Sequence, residues 1–213
     1  MPKPALGAVY AEMGELLAQV RRPADSPLSV AKPADGLFDE TQRASWKKSD
    51  AARCDFSSSP LMARAGGVRF IARWRHTVVG RTLGDIKGDD AMVPFFADAM
   101  APLIQETLGQ NLGTGGWALV TTPRRRHKER NFATLVSAQL AARLGIPFHE
   151  DVCTAKSAQR INAQFSLRYM PPEPNIIVFD DFVTTGSTIH SMQQLFQPLG
   201  KNLIFFTAVN NNI

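Results

Sequence analysis

The chain has 213 residues, 44% of them hydrophobic and 20% charged, which fits one globular domain of ordinary size with an appended segment. Its formal net charge of +5 and isoelectric point near 9.5 favour anionic partners, whether phosphorylated metabolites, nucleic acid or an acidic surface. Cys54 and Cys153 lack the paired spacing of a zinc ribbon or redox motif, and no stretch approaches the roughly 18 apolar residues of a membrane span, so free thiols, no membrane partner and a cytoplasmic location are expected.

The opening PALGAVYAEMGELLAQVRRP sets Leu6, Val9, Tyr10, Met13, Leu16, Leu17 and Val20 at helical spacing, closed by Pro23, and predicts an amphipathic helix. From Pro23 to about Pro60 the chain is rich in Pro, Ser, Asp, Lys and Ala with single aromatics at Phe38, Trp46 and Phe56. That composition reads as a linker, arm or hood. VRFIARWRHTVVGRTLGDIKGDD is β-branched and aromatic up to Val79, and AMVPFFADAMAPLIQETLG then predicts a helix with Pro94 near its start, ending at Gly109. GWALVTTP reads as a short strand closed by Pro123, and NFATLVSAQLAARLGIP as a helix stopped by Gly145 and Pro147.

The stretch from Cys153 to Pro174 is polar and aperiodic and carries Lys156, Arg160 and Arg168, as a mobile lid would. After it, NIIVFDD has the continuous apolar character of a strand buried on both faces, TIHSMQQLFQPLG predicts a helix ending at Gly200, and NLIFFTAVN a further strand. The alternation predicts an α/β fold with a parallel sheet flanked by helices. Residues 1–80 are expected as an N-terminal helix and irregular segment, and 81–213 as the core.

Asp180 and Asp181 end a predicted strand, the place where open parallel sheets bind ligands. The TTGST that follows supplies turn N–H groups and the hydroxyls of Thr184, Thr185, Ser187 and Thr188 just before a helix N-terminus, whose dipole favours an anion. Gly186 permits the sharp turn, and the carboxylates can accept from vicinal hydroxyls or help to hold hydrated magnesium. Together these describe a clamp for a ribose 5-phosphate. A strand end followed by a helix cap accounts for each residue singly but not for the combination. Upstream, TTPRRRHKERNF gathers Arg124, Arg125, Arg126, His127, Lys128 and Arg130, enough positive charge to meet a pyrophosphate, though also readable as a solvated face or nucleic-acid patch.

VFDDFVTTGST closely resembles the signature of type I phosphoribosyltransferases that binds phosphoribosyl pyrophosphate (PRPP). The resemblance implies a type I phosphoribosyltransferase fold for the core, while the N-terminal extension is expected as hood or arm from its composition alone. It places Asp180 and Asp181 on the ribose 2- and 3-hydroxyls, Thr184, Thr185, Gly186, Ser187 and Thr188 around the 5-phosphate, and Arg124 and Arg125 on the pyrophosphate. Magnesium comes in on the pyrophosphate, with no metal held by protein ligands alone. Lys156 and Arg160, on the lid, are the candidate catalytic cations beside Asp180 and Asp181. The basic loop, the helix after it, AQR and the PRPP signature together resemble the ComF-like branch, and LGDIKGDDA is similar to that branch's Lys-Gly segment. The likeness spans roughly Leu83 to Val209. It departs in having no cysteine-rich zinc ribbon, and in Asn131 where a glycine is usual. Thr184 stands where the 6-oxopurine enzymes of the family carry an aspartate.

The expected activity is transfer of 5-phosphoribosyl from PRPP to an unidentified nitrogenous acceptor in nucleotide salvage or metabolism, in a chain that could form a homodimer. The competing expectation is a PRPP- or nucleotide-sensing module without turnover, linked to DNA uptake, DNA processing or regulation, with nucleic acid meeting the basic loop. Plain nucleic-acid binding ranks last, because no helix-turn-helix, zinc finger or aromatic RNA-binding signature is present.

Overall fold

The computed structural model describes residues 52–123, 131–155 and 165–211. The helix expected over Leu6–Val20 and most of the Pro23–Pro60 segment lie outside them, as do Arg124, Arg125, Lys156 and Arg160.

Strands β1 (Arg53–Asp55), β2 (Leu61–Ala65) and β3 (Val68–Thr77) come first. Helices α1 (Leu83–Gly88), α2 (Met92–Leu108) and α3 (Gln110–Gly113) lead into β4 (Trp117–Thr121). Helix α4 (Phe132–Leu144) is followed by the short strands β5 (Phe148–His149), β6 (Cys153–Ala155) and β7 (Phe165–Leu167). Strand β8 (Asn175–Val183), helix α5 (Ser187–Phe196), a 3₁₀ turn at Gln197–Leu199 and β9 (Asn202–Asn210) complete the described fold.

Among the described residues one seven-stranded sheet runs in the order β1-β3-β9-β8-β4-β5, with β2 also paired to β3. Its four inner pairings, β3 with β9, β9 with β8, β8 with β4 and β4 with β5, are parallel. Strands β1 and β2 add antiparallel to β3. The α/β architecture with a mostly parallel sheet is the one the sequence predicts. The sheet also draws on residues 53–77, which lie before position 81. The Pro23–Pro60 stretch, read as lacking regular structure, contains β1. Three residues carry no periodicity of their own and are strand only because Arg53, Cys54 and Asp55 pair with Thr77, His76 and Arg75.

Helices cover both faces of the sheet, and the strand pattern explains why. Side chains alternate across a strand. Leu119, Ile177, Phe179 and Phe206 bury into one cluster with Ile86, Phe96, Met100, Ile104, Val136 and Leu140 from α1, α2 and α4. Ala118, Val120, Ile176, Val178 and Phe205 bury into a second cluster with Ile189, Met192 and Phe196 of α5. A strand flanked this way must be apolar at nearly every position, and β4 is buried at all five. Helices α4 and the 3₁₀ turn both end on left-handed glycines, Gly145 at φ 65° and Gly200 at φ 69°, where a residue without Cβ is favoured.

Strand β3 pairs with β9 only from Ile71 onward. Its first residues, Val68 and Phe70, belong with Ala65 to the α5 cluster. The two-residue turn joining β2 to β3, Gly66 at φ 57° and Gly67 at φ 81°, has both central residues in the left-handed region, as tight hairpins favour.

Candidate functional site

Strand β8 carries Asp180 and Asp181 at its carboxyl end. Neighbouring residues of a strand leave it on opposite faces, so the two carboxylates have different partners. The Thr122 hydroxyl, just beyond β4, donates to Asp180 Oδ1 at 3.0 Å. Asp181 is only 7% exposed, and its Oδ2 lies 2.6 Å from Lys87 Nζ. A buried carboxylate without a partner would be costly, and Lys87 supplies one. The same ammonium sits 5.3 Å from the centre of the Phe182 ring, within range of a cation–π contact.

Lys87 reaches the pair because α1 is short and held at its start. The Thr82 hydroxyl accepts from the Asp85 N–H at 3.2 Å, and the Asp85 carboxylate accepts from the Thr82 N–H at 3.2 Å, a capping box. The Thr82 hydroxyl also donates to Asp85 Oδ2 at 2.6 Å, and this bond, followed by that from the Thr82 N–H, holds the Asp85 carboxyl below its ordinary pKa. Arg81 pairs with Asp89 at 2.8 Å, bracketing the helix. Lys87 occupies its last turn.

The TTGST turn follows β8 directly. Thr184 and Thr185 are exposed, Ser187 and Thr188 half-buried and Gly186 buried. The Thr185 hydroxyl bridges to the Ser187 hydroxyl at 3.1 Å and accepts from the Ser187 N–H at 3.4 Å. Gly186, at φ 75°, is the N-cap of α5 and offers no capping side chain. The first-turn N–H groups of such a helix have no intrahelical partners and favour an anion.

Gly186 has a structural reason to be glycine. A Cβ there would lie 2.5 Å from the Ala65 carbonyl oxygen and 2.6 Å from the Ala65 Cβ, and one on Gly66 would lie 2.7 Å from the Gly186 carbonyl oxygen. The β2–β3 hairpin and the TTGST turn therefore touch backbone to backbone. That contact joins the turn to residues far upstream in the chain.

The structure brings Asp180, Asp181 and Thr184 to Thr188 together at the carboxyl end of a central strand of the sheet. The segment holding Arg124 and Arg125, 124–130, begins immediately after Pro123, one residue past the Thr122 that binds Asp180. The segment holding Lys156 and Arg160, 156–164, is bracketed by β6 and β7, which pair antiparallel from Cys153↔Leu167 to Ala155↔Phe165. Arg168 is exposed, 3.8 Å from Asp151.

Two residues of this constellation were not assigned a role from sequence. For Lys87 the signal was Thr82-x-x-Asp85, a helix start that puts position 87 within its last turn. Thr122 carried no signal, since only the pairing of β4 with β8 places it beside Asp180. Among the described residues no three His, Cys, Asp or Glu side chains gather as a metal cage, and no helix is long and apolar enough to cross a membrane.

No family model matches the chain, and no curated protein does. Solved structures do resemble it. An orotate phosphoribosyltransferase from Aeropyrum pernix is 20% identical, with 77% of this chain and 78% of that one covered and a TM-score of 0.40. An adenine phosphoribosyltransferase is 16% identical over 77% of this chain and 88% of that one, with a TM-score of 0.47. The adenine phosphoribosyltransferase of Saccharomyces cerevisiae is 16% identical over 78% and 89%, with a TM-score of 0.40. At identities of 20% or less and TM-scores below 0.5 these likenesses carry no argument about this chain, whose chemistry rests on its own residues.

Proposed function

We propose that the chain is a phosphoribosyltransferase that binds PRPP with magnesium and transfers 5-phosphoribosyl to a nitrogenous acceptor in nucleotide salvage or metabolism. The observation that carries this reading is the acidic pair at the carboxyl end of a central parallel strand, running without a break into a hydroxyl-rich turn that opens α5. A sugar phosphate needs both parts at once: acceptors for its hydroxyls and N–H and O–H donors for its phosphate.

Thr184, Thr185, Gly186, Ser187 and Thr188 hold the 5-phosphate, and Asp180 and Asp181 take the ribose hydroxyls. The bond from the anomeric carbon to pyrophosphate oxygen breaks, the pyrophosphate leaves with the electron pair, and the acceptor nitrogen forms the new bond to that carbon, any proton it carried passing to solvent. Charge builds on the leaving group and on an oxocarbenium-like ring, so fixed cations are the catalytic need. Arg124 and Arg125 meet the pyrophosphate, and Lys156 and Arg160 are the cations delivered by the segment between β6 and β7. Asp180 and Asp181 would receive a hydrated magnesium ion arriving on the pyrophosphate, and that ion would supply neutralisation of the leaving group's charge. The N-terminal segment is proposed as the hood over the acceptor.

Titration calorimetry with PRPP and magnesium tests the clamp, and pyrophosphate release across a panel of nucleobases tests transfer. Asp180→Asn with Asp181→Asn should weaken PRPP binding at least tenfold, about 1.4 kcal/mol, in a protein whose circular dichroism is unchanged. Unaltered affinity in that folded variant sinks the clamp. Tight PRPP binding without turnover on any base favours a sensing module.

A further inference from the structure

We infer that Lys87 is a positioning residue for the acidic pair: it holds Asp181 on the α1 side of β8 and cancels its charge, so that a polyanionic ligand meets less repulsion there. The inference rests on the PRPP reading above, and its chemistry is that of any ligand bearing both a sugar and phosphates. Asp181 is nearly buried and its carboxylate is 2.6 Å from the ammonium. Lys87 has no equal freedom to turn elsewhere, since it is carried by a helix capped at Thr82 and its ammonium also lies over the Phe182 ring. Asp180 has a different partner, the Thr122 hydroxyl, which donates to its Oδ1. Lys87 thus acts on one member of the pair and makes the two carboxylates unequal.

The physical need is plain. A phosphate and a pyrophosphate brought to the end of β8 approach two carboxylates, and like charges at close range oppose binding unless a cation intervenes. Lys87 supplies that cation from the protein without itself occupying the phosphate turn. Its removal leaves a buried carboxylate uncompensated beside the ligand, and the ligand pays through affinity.

The test is a double-mutant cycle read by calorimetry with PRPP and excess magnesium. Lys87→Met in the wild-type background should weaken PRPP about tenfold, the size of coupling expected for groups in contact. The same substitution made on Asp181→Asn should cost less than about twofold, because no charge remains to be compensated. The wild-type-background loss should shrink at high ionic strength, a response that a purely structural role would not produce. Lys87→Arg, which keeps the charge, should restore most of the affinity. Circular dichroism and thermal melts establish that each variant is folded, and Lys87→Gln replaces the methionine variant should that one fail to fold. Equal losses in both backgrounds, or no loss at all, overturn the role of Lys87 while leaving the PRPP reading intact. A folded wild type that does not bind PRPP overturns that reading, and this role with it.

Discussion

Gly186 is a position where space, more than propensity, determines the residue. Its φ of 75° costs an ordinary residue about 1–2 kcal/mol, and a methyl group there would press into Ala65, an overpacking cost of about 1–3 kcal/mol. Gly186→Ala should therefore lower stability by about 2–5 kcal/mol, read from the urea midpoint. A loss under about 0.5 kcal/mol would mean that the hairpin and the turn yield to each other without strain. The sequence suggested glycine here for a sharp turn. The contact with Ala65 and Gly66 was not legible, because no local pattern couples residue 66 to residue 186. Asp180 and Asp181 were legible as a pair at a strand end, whereas their separation onto Thr122 and Lys87 required the neighbouring elements to be in place.

At the scale of elements, length decided what could be read. Strand β8, buried at Ile176 through Phe179, and the helices α2 and α4 carry periodicity over enough residues to stand out from sequence. Helix α1, with six residues, spans less than two turns, too few for a period to show. Strands β5, β6 and β7 have two or three residues each and exist through pairing alone. The β6–β7 pair gives the Thr154–Arg168 stretch an anchored base, with the Arg168 N–H donating to the Val152 carbonyl at 2.8 Å. If Lys156 and Arg160 act on the leaving pyrophosphate, replacing both with alanine should lower turnover by about two orders of magnitude while PRPP affinity changes far less. A double variant that turns over at the wild-type rate moves the search to Arg124, Arg125 and Lys128.

For the whole molecule, both thiols report on burial. The pKa values of Cys54 and Cys153 are pushed up to about 12 from an ordinary 9.0, chiefly by burial, with Asp55 and Asp151 adding. Unfolded, the thiols ionise near 9, while folded they keep their protons until about 12. The unfolded chain therefore holds fewer protons in that window, and stability present below pH 9 is lost as pH rises from 9 toward 12. Urea midpoints should fall from pH 9 to 11, and the fall should be shallower in Cys54→Ala with Cys153→Ala; equal slopes would show that other groups control the alkaline limit. Charge is distributed just as unevenly. The segment from Arg53 to Arg81 contains six arginines and one aspartate, which leaves 18 basic and 18 acidic residues elsewhere, so the net +5 of the chain is the charge of that segment. The same segment is tied to distant parts of the chain, with Ile71 paired to Phe206 and Gly66 against Gly186. Contacts of such long sequence separation form slowly, because the intervening chain must be ordered first. During synthesis the ribbon of β1 to β3 is made early and then waits, one edge of β3 unpaired, for β9 to arrive. The TTGST turn rests on that ribbon through Gly186, so its final shape is expected to follow the pairing of β9, which ties assembly of the candidate site to completion of the sheet.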